Sequence, residues 1–332
     1  MQAILSVTVP FFALVLCGYW ATRQGVLPEA AIPGLNAYVL FFSLPCLLFR
    51  FGASMPFSRL IDPTLLAIYA VCAMVMVFVT ISATLKSADD RLGIDLKNSA
   101  FGALVAAFPN TGFMGVPLLV ALLGDAAAGP VIGTVLIDLV LTSTFCIALA
   151  QSQEQFSPSA SEPSTMRSSA LRSLRSALTN PLPWAIGLGA LVAATQVQLP
   201  GPLNQVIQML ADSASPVALF TIGAVLWRAG QHSGAKTPLA QYLPVALLKL
   251  FVHPLLVLSV GVIAKALGAP VSAFGLTVLV LAAALPSASN VSLLAERYGA
   301  DNGRVARIIM ASTVMAFVSF SLLAWLLGEK PH

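Results

Sequence analysis

Two short polar stretches lie inside otherwise apolar segments of the sequence, and each directly follows a proline. Proline removes a backbone donor and disrupts a helical turn, and small polar side chains can cap the start of a new helix. Free N–H groups and the positive end of a half-helix dipole attract anions. The pattern therefore predicts an anion-binding site, with a proline kink satisfied by neighbouring helices as the alternative. The candidate binding residues are Pro109, Asn110, Thr111, Gly112, Pro286, Ser287, Ser289 and Asn290.

Charged side chains inside the apolar segments form a second group of candidates. An Asp or Lys at the centre of a membrane helix costs roughly 2.5 to 3.5 kcal/mol on insertion scales, so such a residue is a functional candidate by default. Asp138 favours its neutral form in a low dielectric, and we expect it to carry a proton. A buried aspartate that is hydrogen-bonded to a neighbouring helix is the alternative.

Asp212, Lys249 and His253 are the other candidates for coupling. Asp212 could bind a coupling ion or cap a helix near the outer interface. Lys249 and His253 are four residues apart and share a helix face. Lys249 could pair with Asp138 or Asp212, or balance a carboxylate substrate, and a structural salt bridge or a snorkelling lysine is an equal alternative. Arg304 falls at the end of an apolar segment, where interface anchoring is a sufficient explanation.

The composition indicates an integral membrane protein. Hydrophobic residues make up 58% of the 332 residues and charged residues 9%, and the mean hydropathy is +0.90, whereas soluble domains carry about 25% charged residues. The four cysteines lie in apolar segments without a metal or disulfide spacing. The sequence contains no zinc-type His-Glu-x-x-His, no Gly-x-Ser-x-Gly and no P-loop pattern. We therefore expect no enzyme, no cofactor, no metal site and no nucleic-acid partner.

Hydropathy predicts ten membrane spans in two sets of five. An odd number of spans per set inverts the second copy in the bilayer. Residues 1–150 then form the first five-helix repeat, residues 151–180 a cytoplasmic linker and residues 181–332 the second repeat. Part of the linker could instead lie on anionic lipid as a short amphipathic helix. The predicted spans are approximately 3–22, 34–53, 63–85, 98–123, 129–150, 181–198, 203–228, 239–265, 271–295 and 303–328.

Two further patterns support the repeat and set its orientation. Spans 4 and 9 carry Ala-Ala-x-Pro at matching depth, and the second span of each set contains an earlier proline, Pro45 or Pro216. With the N-terminus outside, twelve Lys and Arg residues fall on the cytoplasmic side and four fall outside. Since positive charge is enriched in cytoplasmic loops, we expect both termini to lie outside.

One segment closely resembles a known family. The eleven residues 109–119, Pro-Asn-Thr-Gly-Phe-Met-Gly-Val-Pro-Leu-Leu, are similar to the broken fourth helix of the auxin efflux carrier family. Weaker similarities lie at residues 43–49, Asn180-Pro181, Ile222-Gly223 and 298–301, so the resemblance covers the whole chain. The short linker resembles the compact prokaryotic members, which implies a location in the bacterial plasma (inner) membrane.

The resemblance implies a fold and a substrate class. The fold is all-α, with ten transmembrane helices in two inverted five-helix repeats and crossed, broken helices 4 and 9, as in antiporters and bile-acid symporters. It implies a scaffold domain, a transport domain that moves like an elevator, and organic-anion substrates. It places Asn110 at the substrate carboxylate. Asp138 stands where plant carriers have a glutamine, and this departure leaves the substrate identity open.

Together, the residues and the resemblance predict a secondary active transporter of small carboxylates such as malonate or malate. We expect an elevator-type mechanism, and we favour H⁺ over Na⁺ as the coupling ion. The alternative is a cation/proton antiporter that uses Asp138 and Asp212 without an organic substrate. The expected partners are the carboxylate and the lipid bilayer, and a homodimer stays open.

Overall fold

The computed structural model describes residues 2–54, 61–85, 94–152, 181–232 and 237–327. Over these residues all regular elements are helices, and none is a β-strand. The predicted linker lies outside the described residues, apart from its first two positions.

Twelve helices make up the described part of the chain. The first half contains α1 (Gln2–Arg23), α2 (Glu29–Ser54), α3 (Pro63–Thr84), α4 (Leu96–Ala107), α5 (Thr111–Leu123) and α6 (Asp125–Ser152). The second half contains α7 (Pro181–Thr195), α8 (Gly201–His232), α9 (Leu239–Ala266), α10 (Ala273–Ala283), α11 (Asn290–Arg297) and α12 (Asn302–Leu327).

Seven of these helices are long and apolar enough to cross a bilayer, which makes the chain a multi-pass membrane protein. They are α1, α2, α3, α6, α8, α9 and α12, and the shorter apolar helices are α5, α7 and α10. The pairs α4 and α5, and α10 and α11, occupy the two spans that the sequence predicts to be broken.

Local sequence explains where several helices begin. The Asp95 carboxylate accepts a hydrogen bond from the N–H of Asn98 at 2.7 Å, and the Ser272 hydroxyl accepts one from the N–H of Gly275 at 3.0 Å. These side chains satisfy donors that have no acceptor within the helix. The first halves of both broken spans, α4 and α10, therefore start with the same type of cap.

Glycines bring two pairs of helices into close contact. Gly18 of α1 lies against the α8 backbone near Gly223, and Gly52 of α2 lies against the α7 backbone near Gly189. At each of these four positions an added Cβ would overlap a backbone oxygen or nitrogen of the partner helix. Small residues allow such close packing where lipid gives no hydrophobic driving force between helices. With the contacts between α2 and α8, the two pairs form a four-helix set of α1, α2, α7 and α8.

The broken spans lie at the centre of the molecule. Every residue of α4 from Ser99 to Ala107 is buried, and so is every residue of α10 from Val278 to Ala283. Wide π-helical turns interrupt α6 at Asp138–Thr142 and α9 at Leu248–Val252. Such turns occur frequently at functional sites, and these two carry the buried charges Asp138 and Lys249.

Candidate functional site

The two helix breaks lie against each other and share backbone hydrogen bonds. The N–H of Asn110 donates to the carbonyl of Pro286 at 2.8 Å, and the N–H of Ala288 donates to the carbonyl of Phe108 at 3.0 Å. Together they form a short antiparallel bridge. Unsatisfied backbone groups cost several kcal/mol in hydrocarbon, so each break supplies the partners that the other requires.

The start of α5 keeps free donors beside this bridge. Its first backbone bonds run from the N–H groups of Met114 and Gly115 to the carbonyl of Asn110, at 3.1 and 2.9 Å. The N–H groups of Gly112 and Phe113 come before this turn closes, so they have no acceptor within the helix. An anion could accept hydrogen bonds at this position.

The expectation that the polar residues cap the new helices is wrong. Neither Asn110 nor Ser289 makes a side-chain bond to its own helix start. Capping residues usually have extended backbone, whereas Asn110 has φ −77° and ψ 52°, and Ser289 has helical angles of −68° and −26°. The N–H of Asn110 is bonded in the bridge, and its side-chain amide is not used as a cap, so that amide can reach a ligand.

We call the place where the two breaks meet, residues 108–112 and 286–290, the crossing. A small cavity of about 30 Å³ lies beside it. Its polar lining comes from Asn110, Gly112 and Asn290, and Pro109 also lines it. Since one water needs roughly 10 to 15 Å³ of such space, the cavity has room for a water molecule or two and not for a dicarboxylate. The apolar lining, which the sequence did not predict, includes Leu40 and Leu44 of α2, Leu139 of α6 and Leu182 of α7.

The remaining predicted binding residues lie at the crossing without lining this cavity. The N–H of Ser287 donates to the Ser312 hydroxyl of α12 at 3.2 Å, and the Ser287 hydroxyl itself is buried without a hydrogen-bond partner. Thr111 is fully buried, and its hydroxyl lies 3.5 Å from the carbonyl of Pro109. The crossing therefore holds one buried hydroxyl that a ligand or water could engage.

Asp138 is fully buried next to the crossing and accepts two hydroxyl hydrogen bonds. The Tyr69 hydroxyl of α3 donates to its Oδ2 at 2.8 Å, and the Thr142 hydroxyl donates to its Oδ1 at 3.1 Å. The sequence analysis did not identify Tyr69. The sequence offers only a general indication here, since the hydroxyl of any buried tyrosine usually has a hydrogen-bond partner. Asp138 is thus hydrogen-bonded to a neighbouring helix, as the alternative interpretation predicted. The same carboxylate can also bind a proton.

Lys249 reaches the end of the first half of the second broken span. Its Nζ donates to the carbonyl of Ala283, the last residue of α10, at 2.6 Å and lies 3.2 Å from Nδ1 of His253. No carboxylate of the described residues lies within 4 Å of it, so it makes no direct ion pair with Asp138 or Asp212. The ammonium satisfies a helix C-terminus, where the dipole is negative.

Aromatic contacts link these two buried charges. The rings of Tyr69 and His253 are 5.9 Å apart between centroids, so Asp138, Tyr69, His253 and Lys249 form a continuous buried cluster. The Nε2 atom of His253 is buried without a hydrogen-bond partner. We call these four residues the polar cluster.

Asp212 lies apart from the polar cluster. Its side chain is 68% exposed and accepts a hydrogen bond from Arg50 of α2 at 2.6 Å. Its neighbour Ser213 shares a hydrogen bond of 2.7 Å with the Tyr38 hydroxyl, also of α2. Asp212 therefore takes part in the contact between α8 and α2, whereas Asp138 is fully buried.

Arg304 differs from its prediction as an interface anchor. Only 2% of the residue is exposed, and its guanidinium donates to the carbonyls of Asn98 at 2.9 Å and Gln241 at 2.8 Å. The side chain fits because Gly102 of α4 has no Cβ, which would lie 2.7 Å from the guanidinium. Arg304 thus ties the start of α12 to the starts of α4 and α9, a role that depends on long-range packing.

Comparison with known proteins gives a consistent result over the full length. A family model described as "Membrane transport protein" matches residues 3–324. The chain is 26% identical over 336 residues to a Rhizobium meliloti (strain 1021) protein named "Putative malonate transporter", covering 98% of this chain and 97% of that protein. It is 25% identical over 310 residues to the Escherichia coli (strain K12) "Uncharacterized transporter YfdV", covering 93% of each.

A plant protein is also similar over part of the chain. "Auxin efflux carrier component 2" of Oryza sativa subsp. japonica is 25% identical over 168 residues, which is 47% of this chain and 26% of the plant protein. The resemblance that residues 109–119 indicated is therefore confirmed.

Among the described residues, no group of three His, Cys, Asp or Glu side chains could hold a metal ion.

Proposed function

The chain belongs to the membrane transport protein family, which includes the auxin efflux carriers, and on this premise we propose that it is a secondary active transporter of small carboxylates. The observation that carries the proposal is the bridge between the two helix breaks. It brings the Asn110 amide, the free N–H groups of α5 and the Asn290 side chain to one cavity. Uncharged donors at a helix start are suited to a carboxylate.

The lining of the cavity narrows the substrate class. Its donors are amides, and its apolar walls consist of Phe, Val and Ala side chains together with leucines of α2, α6 and α7. A short organic acid would place one carboxylate at Asn110 and its methylene groups against Leu44 and Leu182, and Asn290 is the remaining polar residue for a second carboxylate. The name of the Rhizobium meliloti relative makes malonate the first acid to test, with malate as the second.

An elevator-type movement explains how so small a cavity could accept a substrate. The cavity lies where the crossing meets α2 and α7, which belong to the four-helix set. If the crossing slides relative to that set, the cavity opens without breaking the backbone bridge. The close glycine contacts make the four-helix set the natural fixed scaffold.

Regular spacing supports the proposal of two inverted repeats, with residues 1–150 and 181–332 as the copies. Gly18 and Gly189 are 171 positions apart, and so are Gly52 and Gly223. The contact of α1 with α8 therefore corresponds to that of α7 with α2. Pro45 and Pro216 have the same separation. Ten spans result when each pair of half-helices is counted as one.

The polar cluster supports proton coupling through Asp138. Loss of a proton places a charge in a site of low dielectric, and the Tyr69 and Thr142 hydroxyls are positioned to stabilise that charge. At the other end of the cluster, Lys249 holds the end of α10, which leads directly into the second break. The charge of Asp138 could thus influence the geometry of the substrate site.

The alternative of a cation/proton antiporter receives less support. That mechanism needs Asp138 and Asp212 in one exchange site, but one carboxylate is fully buried and the other is exposed and bonded to Arg50.

The proposal also includes a bacterial plasma membrane location with both termini outside, since the ends of α1 and α8 carry Arg23 and Arg228. We propose a transport role without enzymatic chemistry.

Uptake of labelled malonate into proteoliposomes tests the function directly. We expect accumulation driven by an imposed pH gradient and not by a sodium gradient. Asn110→Ala should reduce uptake by tenfold or more, about 1.4 kcal/mol of lost substrate interaction, with unchanged membrane insertion. Asn204→Ala, at the exposed start of α8, is the matched control. If Asn110→Ala transports like the unmodified protein, the proposed site is wrong.

A further inference from the structure

A second cavity of about 430 Å³ opens between α1, α8 and α12. It shares no lining residue with the cavity at the crossing. Its walls are almost entirely apolar, and its one hydroxyl besides Tyr19, that of Thr313, donates to the carbonyl of Ile309 in its own helix. The cavity is about three times the ~150 Å³ of an engineered apolar cavity that holds benzene.

We call this second cavity the wedge, because contacts between α1 and α12 close one of its ends. At this end, the Ser321 hydroxyl lies 3.5 Å from the Thr8 hydroxyl, and the rings of Phe12 and Phe317 meet edge to face at 5.1 Å between centroids. Further along α1, Leu16 and Tyr19 line the cavity, and Met310 of α12 lines it as well.

The mouth of the wedge faces the bilayer. Leu16 and Val314 line it and are 67% and 69% exposed. On a chain that spans a membrane, these side chains contact lipid hydrocarbon. An apolar opening of this size would lose its dispersion contacts if it stayed empty. Its natural occupant is therefore an acyl chain of the bilayer.

Aromatic and basic side chains that could bind a lipid headgroup lie at the other end of the wedge. Tyr19 lines the cavity and packs edge to face on Trp227, with ring centroids 5.3 Å apart. The exposed guanidinium of Arg23 lies 6.0 Å from the centre of the Trp227 ring. Aromatic residues of this kind concentrate at the membrane interface, and arginine binds phosphate groups well.

We propose that a phospholipid binds here, with one acyl chain in the wedge between α1 and α12 and its phosphate at Arg23. This site is separate from the proposed substrate site, and its existence does not depend on the transport function.

Photolabelling tests this proposal. The full-length chain is reconstituted with phosphatidylglycerol that carries a photoactivatable diazirine on its acyl chain, irradiated and digested for mass spectrometry. We expect labels on residues 9–19 and 310–317 to exceed those on other lipid-facing helices by about tenfold. Even labelling over all lipid-facing helices would overturn the proposal.

Two variants and a control make the test specific. Ala13→Trp fills the wedge, and Arg23→Gln removes the positive charge that would bind the phosphate while keeping a polar side chain beside Trp227. Each should reduce the excess labelling about tenfold, whereas Leu188→Trp, on the exposed face of α7, should not change it. If Ala13→Trp does not fold, Arg23→Gln decides the outcome alone. Unchanged labelling in Arg23→Gln contradicts a phospholipid at this site.

Discussion

The Lys249 ammonium donates a hydrogen bond to the carbonyl of Ala283, and so a buried positive charge holds the end of the half-helix that leads into the second break. Lysine in the apolar part of a membrane helix has a function by default. Here the contact has two effects, because it satisfies a helix C-terminus and brings the polar cluster to the crossing.

Replacing Lys249 should therefore affect both stability and transport. In Lys249→Met the carbonyl of Ala283 loses its side-chain partner, and an unsatisfied buried acceptor costs about 1 to 3 kcal/mol. We expect a lower thermal unfolding temperature in detergent and a strong loss of malonate uptake. Lys265→Met, at the exposed end of the same helix, is the matched control and should behave like the unmodified protein. Equal melting of Lys249→Met and the control would contradict the role of this contact.

Changes at Asp138 and Tyr69 should separate coupling from substrate binding. Asp138→Asn cannot release a proton, so we expect malonate uptake to lose its dependence on pH while malonate binding is retained. Tyr69→Phe removes only one hydrogen-bond donor from the carboxylate, so its uptake should stay dependent on pH, with an altered midpoint. Uptake is measured between pH 5 and 8, and binding is measured by calorimetry. Tyr242→Phe, on α9, is a control for loss of a tyrosine hydroxyl. A pH profile of Asp138→Asn that matches the unmodified protein would show that another group binds the proton.

The glycine contacts of the four-helix set predict a large effect of a small change. Gly223→Ala places a methyl group on the backbone of α1, where nothing flexible can move aside. Overpacking typically costs 1 to 3 kcal/mol, so we expect a lower thermal unfolding temperature and a lower yield of folded protein. Gly187→Ala, on α7, is the control, since its added Cβ would meet open space. Similar melting of the two variants would mean that α1 and α8 are not held closely at Gly223.

Local sequence was sufficient to locate the apolar helices and the two helix breaks. Apolar runs, the prolines at positions 109 and 286, and the polar residues after them are all visible within a few positions of each other. The family assignment also followed from one continuous segment. These features depend on the chemistry of neighbouring residues, which a single sequence contains.

Residues whose roles depend on distant parts of the chain could not be assigned from the sequence. Tyr69 was missed because its partner lies on another helix, and Arg304 was read as a surface anchor because its acceptors lie at the starts of α4 and α9. Helix capping by Asn110 was predicted wrongly for the same reason. Its backbone angles are set by hydrogen bonds to residues of the second half of the chain.

The paired breaks also have a consequence for biogenesis. During synthesis on the ribosome, the segment around Asn110 enters the membrane long before its acceptor at Pro286 has been made. Until then, the backbone there must find other partners, such as water or the insertion machinery, because hydrocarbon offers none. Neither half of the chain contains both sides of the bridge, so we expect the two halves to be stable only together.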